Sequence, residues 1–125
     1  MKILIFLALL STPFFSQAEA GGNELLERCQ LAVDIFDGKE LKEGSDWKAH
    51  SCVAYITGLT TMNSLYSSDE FKKKDNKYFC RPQGVTNSQA VRVVLKHLKN
   101  NPKDLHESRT FLAVLALREA FSCKV

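Results

Sequence analysis

Four cysteines, Cys29, Cys52, Cys80 and Cys123, follow an N-terminus built like an export signal. An even cysteine count in a short exported chain reads as a disulfide framework. It predicts an oxidising compartment and leaves no thiol for redox or nucleophilic chemistry. The signal reading rests on residue order. Lys2 supplies a minimal basic start, and Ile3 to Leu10 (ILIFLALL) is an apolar run too short to span a bilayer as a mature helix. Pro13 breaks any helix there, and Ala18-Glu19-Ala20 is an A-x-A cleavage site. Residues 1–20 are therefore expected to be removed, leaving residues 21–125 as one domain. The competing reading is a buried N-terminal helix. No cysteine directly follows the apolar run, which argues against a lipid anchor. No later segment is apolar enough to hold the chain in a membrane.

A domain of this length has a modest core, so each disulfide matters, at about 3 kcal/mol through restriction of the unfolded chain. The formal charge of +3 is too small a bias to predict a nucleic-acid partner.

Apolar spacing predicts helices throughout. Leu25, Cys29, Ala32, Val33 and Phe36 share one face of a first helix, from about Glu24 to Phe36, with Asn23 as its cap and Asp37-Gly38 as its stop. Lys39 to Gly44 is a polar connector. A second helix, capped by Ser45 or Asp46, runs to about Leu65 with Cys52, Tyr55, Ile56, Leu59 and Met62 as its stripe. Gly58 inside it predicts close approach of another helix. Thr86 followed by Gln89 is a capping-box pattern opening a third helix, from about Asn87 to Lys99. Its buried stripe is Val91, Val94, Leu95 and Leu98, with Arg92, Lys96 and Lys99 on the wet side. A last helix is expected from Pro102 or Asp104 to Phe121. Its FLAVLAL segment, Phe111 to Leu117, is apolar nearly all round and belongs either at the centre of the core or under a second subunit. No period-two strand pattern occurs. The fold class is all-α, a small disulfide-linked bundle of four to five helices.

Four cysteines allow three connectivities, and helix heights favour one. Cys29 and Cys52 sit at matching distances from the turn between the first two helices, about 10 Å at 1.5 Å per residue. Cys80 and Cys123 stand similarly about the turn near Asn100. The expected pairs are Cys29–Cys52 and Cys80–Cys123.

Catalytic grammar is missing. His50 and Cys52 form an H-x-C spacing that matches no zinc site, and His97 and His106 read as surface histidines. Ser64, Ser67 and Ser68 lack a nucleophile-elbow setting, and no phosphate-binding glycine loop is present. The reading is a binding protein, with no enzymatic activity, cofactor or metal.

The run Cys52-Val53-Ala54-Tyr55-Ile56-Thr57-Gly58 resembles the C-x-G-Y-I-x-G signature of the Rap/Tai group of periplasmic immunity proteins. Phe79-Cys80-Arg81-Pro82-Gln83-Gly84-Val85 resembles the group's F-C-x-P-x-G-V. Gln89, Val93-Val94, Leu98 and Asn101-Pro102 continue the likeness, and Ala116-Leu117 with Ala120-Phe121-Ser122-Cys123 resembles A-L-x-x-A-F-P-C. Ala54 and Ser122 depart from a common Gly and Pro, and Thr60-Thr61 from a common acidic residue, which leaves the cognate toxin unassigned. The resemblance implies a helical, disulfide-linked periplasmic protein, commonly a homodimer. Such a protein binds and occludes a peptidoglycan amidase delivered by type VI secretion. On that reading the polar stretch Ser67 to Lys77, framed by Tyr66, Phe71 and Tyr78, is the element that meets the enzyme. The candidate contact residues are Tyr66, Asp69, Glu70, Phe71, Lys72, Lys73, Lys74, Asp75 and Lys77; a solvated loop is the plainer reading. Alternatives of other classes are a periplasmic acid-stress chaperone and a small secreted inhibitor or adaptor.

Overall fold

The computed structural model describes residues 21–66 and 77–124. Four α-helices follow in order: α1 (Gly22–Phe36), α2 (Asp46–Leu65), α3 (Asn87–Asn100) and α4 (Arg109–Ala120), with a 3-10 turn at Pro102–Asp104 before the last. Among the described residues the fold is an all-α bundle. Helix α1 lies centrally, packed on α2, α3 and α4.

Each helix turns an apolar face inward. The core gathers Leu25, Cys29, Ala32 and Val33 from α1, Ala49, Cys52 and Ile56 from α2, and Ala90, Val91, Val94, Leu95 and Leu98 from α3. Leu112, Ala113, Ala116 and Leu117 of α4 complete it, with Phe79 and Leu105 from the connections. Alanines recur where helices meet, and a methyl side chain lets backbones approach without leaving a void.

Cys29 bonds Cys52, with Cα atoms 5.2 Å apart, and Cys80 bonds Cys123 at 4.8 Å. The first staple joins α1 to α2 inside the core. The second joins the segment before α3 to the tail after α4.

Helix α3 begins with the full capping box. The Thr86 hydroxyl accepts from Gln89 N at 3.2 Å, and Gln89 Oε1 accepts from Thr86 N at 2.7 Å. Two orphan amides of the first turn are thereby satisfied. Helix α1 stops at Asp37, and Gly38 follows at φ 76°, a left-handed conformation suited to glycine.

Several expectations are corrected. Asn23 does not cap α1, since the helix starts two residues earlier than expected, at Gly22, with Gly21 at the cap position. The orphan amides there are satisfied across the fold: Gly22 N donates to Glu107 O at 3.0 Å and Asn23 N to Leu105 O at 3.1 Å. The same contact shortens the last helix. A helix running unbroken from Pro102 would need the Leu105 and Glu107 carbonyls for its own amides four residues on. With those carbonyls engaged by α1, α4 starts afresh at Arg109, and Ser108 caps it by accepting from Phe111 N at 3.1 Å. Gly58 has no neighbour where a Cβ would project, so no helix approaches it closely. The close approach is at Gly22, where a Cβ would strike the Leu112 side chain and lie 3.0 Å from the Leu105 backbone.

Helix α2 is rotated relative to expectation. Its inward residues are Ala49, Cys52, Ile56, Thr60 and Asn63, while Met62 is 56% exposed. Thr60 tolerates burial because its hydroxyl donates to Thr57 O at 2.9 Å. His97 is no surface histidine. Its side chain is only 9% exposed, with Nδ1 2.9 Å from Glu119 and a buried Nε2 that has no hydrogen-bond partner. Phe36, expected on the buried stripe of α1, is exposed at the helix end, and the Arg92 guanidinium stacks over its ring at 5.8 Å.

Candidate partner-binding surface

An apolar groove of about 650 Å³ opens between the C-terminal half of α2 and the outer face of α4. Leu59, Met62 and Tyr66 form one wall, Phe111, Val114 and Leu115 the other, with Tyr78 and Phe79 closing one end and Arg118 among the lining residues. The all-round apolar character of FLAVLAL is thus divided. Leu112, Ala113, Ala116 and Leu117 enter the core, while Phe111, 55% exposed, faces outward. Met62, Tyr66, Tyr78 and Phe111 are all exposed around one concavity, and clustered exposed apolar residues mark interaction surfaces where scattered ones do not.

Asn63 lines this groove and ties α2 to the Tyr78–Phe79 segment at its end. The buried amide donates from Nδ2 to Phe79 O at 2.8 Å, and its Oδ1 accepts from Tyr78 N at 2.9 Å and from Phe79 N at 3.4 Å. One helical side chain thus takes backbone bonds of a non-helical segment that belongs to no strand among the described residues. Phe79, 1% exposed, drives that segment into the core. One residue on, Cys80 is bonded to Cys123, and its amide donates to Phe121 O at 2.7 Å. At the other end, Tyr66 N donates to Met62 O at 2.9 Å and closes α2. Tyr66 and Tyr78 therefore leave the helical body from fixed positions beside the groove.

Of the expected contact residues, Tyr66 and Lys77 are described, and both are exposed. Asp69, Glu70, Phe71, Lys72, Lys73, Lys74 and Asp75 lie outside the described residues. Phe111, Val114 and Leu115 belong to the FLAVLAL segment that the sequence offered either to the core or to a second subunit, whereas Met62, expected on the buried stripe of α2, and the clamp Asn63 were not anticipated as site residues. An asparagine in register with Ala49, Cys52 and Ile56 is a signal that points to a buried amide with a backbone target.

All four cysteines are in disulfides, and among the described residues no three His, Cys, Asp or Glu side chains gather to hold a metal ion. No helix of the described residues is long and apolar enough to cross a membrane. The shifted titrations lie at the end of α1, away from the groove. There the Lys39 ammonium, 2.8 Å away, holds the Asp34 carboxyl below the usual carboxylate range through its hydrogen bond, and Gln30 adds a second. Lys39 is raised in turn by the same bond. What remains at the groove is shape and apolar surface on a disulfide-braced frame, which suits binding.

Comparison with curated proteins and with solved structures returned no match. The family model described as Rap1a immunity proteins matches residues 21–123, nearly all of the chain after residue 20, and the chain therefore belongs to the Rap1a immunity protein family.

Proposed function

We propose that this is a periplasmic immunity protein that binds and occludes a peptidoglycan amidase delivered by type VI secretion, protecting the cell that makes it. It acts by binding and performs no reaction. The observation that carries this reading is the apolar groove beside Tyr66 and Tyr78, with Tyr78 held in place by Asn63 and by the neighbouring Cys80–Cys123 bond. Pre-organisation lowers the ordering cost of binding. Met62, Tyr66, Tyr78 and Phe111 supply the anchor types that dominate interfaces. Asp69, Glu70, Phe71, Lys72, Lys73, Lys74 and Asp75 are proposed to enter the enzyme's cleft from between these stems, flanked by Tyr66 and Lys77.

Residues 1–20 are proposed as a cleaved export signal. The family match begins at Gly21, the first residue expected after cleavage, which supports this. A homodimer is part of the reading, with the outer face of α4 as its contact.

The test is survival of cells that express a periplasm-directed amidase of this class. The wild-type protein should protect. Met62→Asp and Phe111→Asp should lose protection while keeping wild-type circular dichroism and melting temperature. Full protection by both variants would remove the groove from the inhibitory surface. Lys72→Ser, Lys73→Ser and Lys74→Ser combined tests the projecting segment in the same assay. Sedimentation of wild type and Phe111→Asp, each without effector, separates self-association from effector binding.

A further inference from the structure

A second concavity, of about 380 Å³, lies on another part of the surface, between α1, α2 and the start of α4. Leu25, Cys52 and Ala54 contribute its apolar surface, and its polar lining is Glu24, Arg28, Ser51, Tyr55 and Arg109. Arg28 is fully engaged: it pairs with Glu24, donates to Ser51 Oγ at 3.2 Å and stacks over Trp47 at 5.1 Å. Ser51 donates to Lys48 O at 2.7 Å, and the Tyr55 hydroxyl is bonded to Thr110 Oγ1 at 2.7 Å.

Arg109 differs. Its guanidinium lies over the Tyr55 ring at 4.8 Å, yet among the described residues it has no hydrogen bond or ion pair, and its Nε is buried without a partner there. A guanidinium carries five donors, and a desolvated donor left unpaired is costly. Arg109 is also the first residue of α4, where the positive end of the helix dipole disfavours a cation. Helix stability does not account for an arginine there, placed over Tyr55 and lining a cleft. The unspent capacity in the cleft is therefore donor capacity, and its ligand must be an acceptor. Arg28 and Arg109 against Glu24 leave one net positive charge in the lining, which fits a monoanion better than a phosphate dianion. The planar fork of a guanidinium matches a carboxylate through two parallel bonds.

We propose that this cleft is a carboxylate-binding site, with Arg109 as the primary ligand-binding residue and Tyr55 as the platform that orients it. The carboxylate has two sources, an acidic side chain on a protein or a chain-terminal carboxylate of a short peptide. The test is titration of the full mature protein, with its disulfides intact, with three blocked tripeptides, following the Arg109 Nε–H resonance by NMR. One carries a single glutamate with both ends blocked, one a free C-terminus only, and one a glutamine in place of the glutamate. A saturable shift with either acid and none with the glutamine peptide is the expected result, and the acid that binds identifies the source. Arg109→Gln should weaken that binding about tenfold with an unchanged melting curve. Glu24→Gln, which removes the competing carboxylate from the wall, should strengthen it. Equal response to all three peptides, no saturable response, or undiminished binding by a folded Arg109→Gln protein would overturn the proposal. No effector enters the experiment, so its failure leaves the immunity reading intact.

Discussion

Asn63→Ala should be among the most destabilising polar truncations in this chain. The substitution removes two well-formed hydrogen bonds, to Phe79 O at 2.8 Å and from Tyr78 N at 2.9 Å, and a longer one from Phe79 N at 3.4 Å. The two good bonds are worth about 1 kcal/mol each, and leaving the Phe79 carbonyl buried without a donor adds roughly 1–3 kcal/mol. The sum, about 3–5 kcal/mol, is a large share of the 5–15 kcal/mol that typically separates folded from unfolded domains. Urea unfolding with disulfides intact measures it directly. At roughly 4–8 °C per kcal/mol for a domain near this size, the melting temperature should fall by about 15 °C or more. Amide exchange at Tyr78 and Phe79 should accelerate well before that of the α3 core. Asn63→Asp is the sharper control, because it keeps the acceptor toward Tyr78 N but turns an oxygen toward Phe79 O. Burial and that carbonyl raise the new carboxyl's pKa in the folded state above its unfolded value. The folded form then binds the proton more tightly, so the deficit should shrink as pH falls through the raised folded value. A cost below about 1 kcal/mol for Asn63→Ala, or an Asn63→Asp defect indifferent to pH, would refute the clamp.

Gly22→Ala should cost roughly 1–3 kcal/mol, since its methyl meets the Leu112 side chain and the hydrogen-bonded Leu105 backbone; thermal melts check it. Removing Cys80–Cys123 by a double alanine substitution should cost about 4 kcal/mol for its 43-residue separation, against about 3.5 kcal/mol of chain entropy for the 23-residue separation of Cys29–Cys52. Under mild reductant without denaturant, mass spectrometry should find the half-buried Cys80–Cys123 opened first and the buried Cys29–Cys52 last. Asp34 sets a limit on acid sensitivity. Its lowered carboxyl contributes stability above its unfolded value near pH 4, lost only as pH falls through the lower folded value, so the Lys39 pair should give no stability change between pH 5 and 8. Denaturant titrations of wild type and Asp34→Asn should stay parallel across that range.

What the sequence reveals here depends on whether the governing interaction is local. The Thr86–Gln89 box spans three residues, and α3 turns inward the face that its spacing predicts. The Cys29–Cys52 pair follows from the lengths of α1 and α2 about their turn, whereas Cys80 and Cys123 lie outside the helices and meet although the last helix starts later than their expected heights assumed. The last helix was misjudged because the carbonyls that decide its start are taken by Gly22 and Asn23, more than eighty residues away. The face of α2 was misjudged because hydropathy ranks Met62 above Asn63. Burial there goes to the residue whose polar atoms find a backbone target, and Met62 is left to the groove. His97 was read as wet among lysines, and its contact with Glu119 of α4, twenty-two residues on, is one that local spacing does not reveal. The groove itself exists only once α2 and α4 lie side by side, so no local pattern contains it.

The order of the two disulfides along the chain has a consequence in time. Cys29 pairs with the next cysteine to emerge, Cys52, and Cys80 pairs with the next after it, Cys123. A chain threaded N-terminus first into an oxidising compartment reaches this connectivity by joining cysteines in order of arrival, without isomerisation. Its first helical hairpin can be locked while the second half is still in transit. The bond beside Phe79 must wait for Cys123, so on such a route the second half of the bundle is stapled after the first.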